Sequence, residues 1–415
     1  MDIDKIISIG ERNGFEVEVF LSKSEDVEIE LDGDNFDNVS YDSFFGIGVR
    51  VIKNGKVGFA YSNKLDNNLI YEAMNNLVPD EHVQFSQVAK YPSVEGLFSS
   101  DLLDLSEDII MEDLIGMMDI LKESNITITG GGISKSYEYV RIINTNGVDI
   151  EEEFTTYSGS IGGIKNGETA YEYGVKRDYF DITEIGNKVV ELISLSENSK
   201  KIDFKGNIVL SPETLKSLLG YTLIPSFNAE NVQRNRSVLC NKLGEMVFNN
   251  CITIHDDGII DEGIGSSISD GEGTPSQKTT LVKNGILKNY LYDIKRGNID
   301  GKKSTGNGGR SYNSLPSITT SNIIIEPYEK LDNVDKYLYV NRIIGSHTSN
   351  PISGDFSVEI SNGYIVKNGD VIPIKRGMLS GNIFSIFKEA IPLDNVEVRG
   401  SFISPPVMFN GKIIV

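Results

Sequence analysis

The chain has 415 residues, enough for two or three domains, and is 39% hydrophobic, with no apolar run near the roughly 20 residues that span a bilayer. It carries 39 Lys and Arg against 60 Asp and Glu, a net charge of −21; such a field repels phosphate backbones and anionic lipid and excludes nucleic acid and membrane surfaces as expected partners. Cys240 and Cys251 make no disulfide framework, and the acidic start MDIDKIISIGERNG lacks the basic region of a signal peptide, so a cytoplasmic location with reduced thiols is expected.

Asp2 to Arg12 reads as a helix with Ile3, Ile6 and Ile7 on one face and Asn13-Gly14 as its C-cap. Alternating strands follow from Phe15, Asp26, Phe44 and Lys56, and Asn54-Gly55 between the last two is a strong hairpin signal. Asn67 to Leu77 is again helical, and the polar, Pro-containing stretch from Pro79 to Glu95 reads as a linker. A second long helix opens at Ser106 and runs to Lys122, its stripe of Ile109, Ile110, Leu114, Met117, Met118 and Leu121 facing a core. Strands occupy Asn125 to Arg177, punctuated by Asn146-Gly147 and Asn166-Gly167, with Gly130-Gly131-Gly132 as a bend or bulge. Ile182 to Leu195 forms a further helix, so a helix–strands–helix pattern occurs twice in the first 200 residues.

The charged segment SENSKKIDFKG from Ser196 marks the main boundary. We expect an N-terminal domain over 1–200, with subdomains 1–90 and 100–200, and a β-rich C-terminal domain over 203–415. The latter starts with a strand, GNIVLS, and a helix from Pro212 to Leu223, with Ser211 as N-cap and Pro212 in the first turn. Strand signals then dominate to Val415, joined at Asn-Gly pairs that begin with Asn284, Asn362, Asn368 and Asn410. The fold class is α+β: an N-terminal α/β-mixed domain of helix–strands units, and a C-terminal largely antiparallel β domain, closed or strongly curled.

Candidates for chemistry are few. His82, His255 and His347 are the only histidines, and none lies in a His-Glu-x-x-His helix of the kind that sets two imidazoles on zinc. In CITIHDD, Cys251, Thr253 and His255 would share a strand face beside Asp256 and Asp257. One strand cannot wrap an ion, and a core strand ending in a polar turn is the better reading. His347, in GSHTSNPISGD, is a candidate acid–base or substrate contact without a Cys or Asp nucleophile beside it. GEGTPSQKT fails as a phosphate loop, because Gln277 stands where a glycine should precede Lys278 and the segment leads into a strand. In STGNGGRSYNSLPS, Gly306, Gly308 and Gly309 permit close backbone approach and Arg310 can fork onto a carboxylate. Two readings stay open there: a cradle for a peptide terminus, or a long surface turn with a solvated Arg.

Ordered blocks across nearly the whole chain resemble the TldE/PmbA branch of the TldD/PmbA family, once described as modulators of DNA gyrase. They include VLSPETLKSLLGYTL from Val209, NAENVQRNRSVLCNKLGEMV from Asn228 and ITIHDD from Ile252. DGEGTPSQKTTLVKNGILKNYLYD from Asp270, STGNGGR from Ser304, SGDFSVEISNGYIVKNGDVIPI from Ser353 and LSGNIF from Leu379 follow. The resemblance implies a cytosolic heterodimeric metalloprotease acting on extended peptides, in which a TldD-like subunit holds zinc on a His-Glu-x-x-x-His helix plus a distant Cys. In this chain the corresponding helix, SPETLKSLLGY, has no His and offers only Glu213, and SGDFSVEIS has no thiol. The expectation is therefore no catalytic or metal-ligating residue and no cofactor in this chain, with zinc in a TldD-like partner and an extended peptide as substrate. Gly308, Gly309, Arg310, Ser353, Gly354, Asp355 and Phe356 are the candidate substrate-binding residues. A self-associating, homodimeric peptide-binding scaffold without enzymatic activity is the alternative. Modulation of gyrase through DNA contact is disfavoured by the charge.

Overall fold

The computed structural model describes residues 3–64, 66–330 and 334–413; Asp2 and Val415, named above as ends of expected segments, lie outside them. In the N-terminal half, α1 (Ile3–Arg12) leads into β1 (Glu16–Asp32), β2 (Asn35–Lys53) and β3 (Lys56–Ser62), followed by α2 (Leu69–Asn75) and β4 (Val78–Pro79). A single turn, α3 (Ser100–Leu103), precedes α4 (Glu107–Glu123), β5 (Thr127–Asn144), β6 (Asp149–Lys165), β7 (Glu168–Lys176) and α5 (Thr183–Ser196). The seven strands form one sheet of order β4-β3-β2-β1-β5-β6-β7, antiparallel at every pairing.

The runs from Phe15 and Asp26, expected as separate strands, are one 17-residue strand, β1. Likewise the strand expected from Phe44 begins nine residues earlier, because Asn35–Ser43 pairs along the far half of β1 although its sequence lacks a regular alternation. The glycine triplet is a bulge inside β5, where the register against β6 shifts between Ile128 and Gly130. Helices cover one face in two places. Ile6, Ile70 and Ala73 pack with Val17, Val19 and Val49 on β1 and β2. Leu114, Met117 and Val189 from α4 and α5 pack on Ile133, Tyr157 and Ile161 from β5 and β6.

In the C-terminal half, β8 (Phe204–Leu210) and α6 (Pro212–Gly220) come first, then β9 (Ile254–Asp257), β10 (Lys278–Lys283) and β11 (Ile286–Leu287). The ribbon of β12 (Gly308–Gly309) and β13 (Ser317–Ile318) precedes β14 (Asn322–Ile325), β15 (Lys336–Ile344), β16 (Asp355–Lys367), β17 (Asp370–Pro373) and β18 (Met378–Asn382). β19 (Ile391–Pro392), β20 (Glu397–Arg399), β21 (Phe402–Ser404) and β22 (Val407–Ile413) end the described chain. Apart from the β12–β13 ribbon, they form an open six-stranded sheet, β11-β10-β9-β14-β21-β20, and an open seven-stranded one, in which β18 pairs with β16 beside the order β17-β16-β15-β8-β22-β19. Pairing is mostly antiparallel, with parallel exceptions at β14–β21 and β8–β15.

The fold is thus mixed α+β, but the expectation of a closed or strongly curled C-terminal sheet is corrected: each strand order has two ends. Closure was inferred from successive hairpins, and only some of the Asn-Gly pairs make them. Asn284-Gly285 and Asn368-Gly369 are two-residue turns with positive φ at both positions, at 50° and 75° and at 52° and 88°, the mirror-image turn that suits strand twist. Asn362 and Asn410 lie inside β16 and β22. The strands divide between two sheets, whose Ile208, Ile254, Leu281, Leu338 and Val358 share one apolar core with Leu215 of α6.

Asn362 instead ties the two halves together: it is buried, and its amide donates to Thr169 O and Ser196 Oγ at 3.1 Å each. The segment expected as a linker is strapped to the C-terminal half, with Tyr91 Oη donating to Gly273 O at 3.0 Å and Glu95 N to Asp261 Oδ1 at 2.8 Å.

Candidate functional site

Two places concern function: α6, where the resemblance puts a metal helix, and the Gly-rich loop around Arg310. On α6 the local sequence acts as expected. Ser211 is the N-cap, its Oγ accepting from Thr214 N at 3.1 Å, and Pro212 opens the helix. Fitting the pattern His-Glu-x-x-x-His to Glu213 puts Pro212 and Ser217 at the imidazole positions. Pro212 is buried, and Ser217 Oγ is 2.7 Å from Ser346 Oγ.

Glu213 is committed elsewhere. Arg399 Nε donates to its Oε2 at 3.1 Å, and Arg342 Nη2 stands 3.8 Å from Oε1. Arg399 also pairs with Glu172 on β7, at the edge of the N-terminal sheet. Lys216 Nζ, one turn along α6, donates to Tyr173 Oη at 2.5 Å, and burial lowers the affinity of its amine for a proton. The Tyr173 ring lies under both Lys216 and Arg399, at 4.7 and 4.9 Å, so cations stack on an aromatic face as well as pairing with acids. Three fixed cations therefore occupy the surroundings of the helix on which the resemblance puts the metal. A cavity of about 340 Å³ opens beside them, walled by Tyr173, Phe180, Ile185, Val398 and Arg399.

The other metal-ligand candidates do not converge. His255 bonds to Thr280 Oγ1 at 3.1 Å and Glu326 Oε1 at 2.8 Å. Cys251 donates to Ala390 O at 3.3 Å, and burial raises its thiol. Asp256 accepts from Asn307 Nδ2 at 2.7 Å and Ser321 N at 2.8 Å; burial pushes its carboxyl up to about 6. Among the described residues, no three or more His, Cys, Asp or Glu side chains are grouped to hold a metal ion. His347 is exposed on a short turn after β15.

The Gly-rich loop is neither an open cradle nor a solvated turn. It threads between the two halves of the chain. Gly308 N donates to Asp270 Oδ2 at 2.8 Å, and a Cβ at Gly308 would lie 2.5 Å from Glu272 Oε2, so only glycine fits beside that acid. Gly309 pairs with Ser317. Arg310, 1% exposed at its side chain, lies 2.7 Å from Glu18 Oε1 and 4.5 Å above the Phe20 ring. Its Nη2 makes no directed hydrogen bond, so the contact with Glu18 is one of charge. Glu18 also accepts from Arg50 Nε at 2.8 Å, and Arg50 reaches Glu272 at 3.5 Å.

Five ionisable groups, Glu18, Arg50, Asp270, Glu272 and Arg310, are thus shut away together. Burial pushes the carboxyls of Asp270 and Glu272 up, against the pull of backbone N–H groups on the first and of Arg50 on the second. Burial pulls Arg310 down to about 10, still charged at neutral pH. Two residues on, Tyr312 packs its ring against Phe44 and Tyr61, at 5.0 and 5.9 Å. Glu18 and Arg50, on alternating strands far from this loop in the chain, are not among the expected site residues; an ionisable side chain inside each apolar run is the only local mark they carry.

The second group of expected contacts lies apart. Ser353 and Gly354 end a turn closed by Asn350, whose Oδ1 accepts from Ile352 N and Ser353 N at 2.9 and 3.1 Å. Asp355 is exposed and accepts from Ser353 Oγ at 2.6 Å and Asn382 Nδ2 at 2.8 Å, hydrogen bonds that hold its carboxyl low, the one from Asn382 foremost. Phe356 is buried in the C-terminal core. The contacts of Gly308–Arg310 and those of Ser353–Phe356 share no residue among those described.

Comparisons with known proteins cover the whole chain. Residues 204–414 match the PmbA/TldA metallopeptidase C-terminal domain, 17–78 its domain 1 and 100–196 its central domain. An uncharacterized protein of Methanocaldococcus jannaschii is 54% identical over 415 residues, 100% of each chain. A metalloprotease TldD homolog of Buchnera aphidicola is 26% identical over 388 residues, covering 84% of this chain and 79% of its own. The crystal structure of TldE from Thermococcus kodakarensis superposes with a TM-score of 0.91 at 25% identity, covering 100% of both chains.

Proposed function

The chain belongs to the PmbA/TldD metallopeptidase family, and from that premise we propose that it is a TldE-like, metal-free subunit of a cytosolic zinc metalloprotease. In this reading a TldD-like partner supplies the zinc and this chain helps to hold the extended peptide. The observation that carries the proposal is the fate of Glu213: the one acid left on the metal helix is paired by Arg399 and faced by Arg342. A dication on that carboxylate would share it with two guanidinium groups that already stand 3.1 and 3.8 Å from its oxygens, where a zinc site needs anionic or neutral donors. The match to TldE over the full length of both chains supports the same assignment. No helix among the described residues is long and apolar enough to cross a membrane.

In this proposal the two groups of expected site residues have different duties. Gly308, Gly309 and Arg310 fix the spacing of the two halves and so the shape of any peptide channel between subunits. Ser353, in the turn before β16, and Asp355, its first residue, present side chains to the partner or peptide, with Gly354 and Phe356 anchoring that end of the strand. The test is reconstitution. The purified chain should cleave no unfolded peptide alone, and adding a TldD-like subunit should give a peptidase that a chelator silences. Cleavage by this chain alone that survives the chelator would overturn the reading.

A further inference from the structure

β2 is longer than the strand that covers it. Its register with β3 runs only from Ile47, opposite Ser62, to Lys53, opposite Lys56. From Asn35 to Gly46 it pairs on one side alone, with β1, among the described residues. Those twelve residues, at about 3.4 Å each, make roughly 40 Å of open edge, about twice a usual strand. Along such an edge alternate N–H and C=O groups point away from the sheet without a ladder partner.

The side chains select among occupants. Phe36, Val39 and Tyr41 are 47%, 45% and 56% exposed, so the edge offers apolar contact as well as backbone. Glu25, Asp26, Glu28 and Glu30 on β1 and Asp37 and Asp42 on β2 stand on the same hairpin, and no Lys or Arg occurs between Ser24 and Gly46. A second copy pairing through this edge would set these acids against one another, which like-charge cross-strand neighbours oppose. A strand that alternates basic and apolar side chains satisfies the backbone, the exposed rings and the charge together.

We propose that the outer edge of β2, Asn35–Gly46, takes an extended basic peptide segment as an added strand. This rests on the reading that the chain handles extended peptide, and it names where and which. The affinity comes from main-chain hydrogen bonds, which read no sequence; the preference for basic segments comes from the hairpin's acids and weakens with salt.

The test uses the full chain and three blocked ten-residue peptides: alternating Lys and Val, alternating Glu and Val, and the Lys–Val peptide N-methylated at alternate amides. Fluorescence anisotropy at low salt should show the Lys–Val peptide binding at least about tenfold more tightly than the Glu–Val peptide, with N-methylation abolishing it. Amide hydrogen exchange should slow at alternate positions between Asn35 and Gly46 and nowhere else in the N-terminal sheet. Reversing Asp37→Lys and Asp42→Lys, both on the solvated hairpin, should remove the preference for the basic peptide while the fold stands. Equal binding of the N-methylated peptide, binding without protection of those amides, or no binding at all would overturn the proposal. So would protection that grows with protein concentration alone, since a second copy would then hold the edge. None of these results bears on the reconstituted, chelator-sensitive activity, so failure here and failure of the subunit reading are separate outcomes.

Discussion

Glu18 and Arg310 meet across the junction of the two halves of the chain, 2.7 Å apart with side chains 0% and 1% exposed. A buried pair of this kind adds little net stability over an apolar pair of the same shape, but removing one member strands the other. Arg310→Ala should therefore cost about 3–5 kcal/mol, read as a lower urea midpoint. The double variant Glu18→Gln with Arg310→Met should recover most of that loss, because one charge of each sign leaves the cluster and Arg50 keeps Glu272 as its partner. Additive losses in the double variant would show that the two residues do not act as a pair.

Glu152, on β6, accepts from Ile268 N at 2.6 Å and Ser269 Oγ at 3.3 Å across the same junction, and burial pushes its carboxyl up to about 7. A carboxyl raised on folding binds its proton more tightly in the native state. Its contribution is then full below the ordinary carboxylate range and is lost as the pH rises toward 7. Glu152→Gln keeps an acceptor without the charge. The wild type should lose roughly 1–3 kcal/mol between pH 5 and pH 7.5 through this group, and the variant should lose correspondingly less. Thermal unfolding at the two pH values decides it; parallel slopes would remove Glu152 as the source.

Gly285 and Gly369 hold the same place in two hairpin turns, with φ of 75° and 88°. Their surroundings differ. A Cβ at Gly285 would lie 2.4 Å from Phe248 O and 2.7 Å from Asn249 O, whereas nothing lies within 4 Å of one at Gly369. Gly369→Ala should then cost only the left-handed backbone strain, about 1 kcal/mol. Gly285→Ala adds a backbone clash and should cost more than about 3 kcal/mol. Equal unfolding midpoints for the two variants would contradict the packing described at Gly285.

These turns show what the sequence could and could not tell. Asn54-Gly55, Asn284-Gly285 and Asn368-Gly369 announce themselves because the turn needs positive φ at both residues. Asn362-Gly363 has the same letters inside a strand, where the amide of Asn362 is spent on Thr169 and Ser196 from the other half of the chain. The helices were legible from apolar spacing and the N-cap of α6 from Ser-Pro, both local properties. The far half of β2 was not, since Asn35–Ser43 scatters Phe36, Val39 and Tyr41 among polar residues without regular alternation and owes its strand geometry to β1. The glycines and arginine of STGNGGR were legible as unusual but not as buried. Their environment is made by Glu18, Arg50, Asp270 and Glu272, and distant partners leave no pattern in a single sequence.

The arrangement on α6 makes a prediction about metal. Restoring the two imidazoles by Pro212→His and Ser217→His recreates the His-Glu-x-x-x-His spacing around Glu213. Spacing alone should not recreate the site. Arg399 stays 3.1 Å from the Glu213 carboxylate and Arg342 3.8 Å from it, and both would repel a divalent ion; Lys216 adds a third cation on the same helix. The distant Cys that the resemblance implies as a further ligand is also missing, since the SGDFSVEIS segment has no thiol. After dialysis against buffer with trace zinc, the double variant should retain about a tenth of an equivalent or less by elemental analysis. Adding Arg342→Ala and Arg399→Ala should raise zinc retention only modestly, because charge and ligand count both oppose the ion. One full equivalent held by the double variant would mean that the arginines swing aside, and that Glu213 is blocked by sequence at two positions rather than by the charges packed around it.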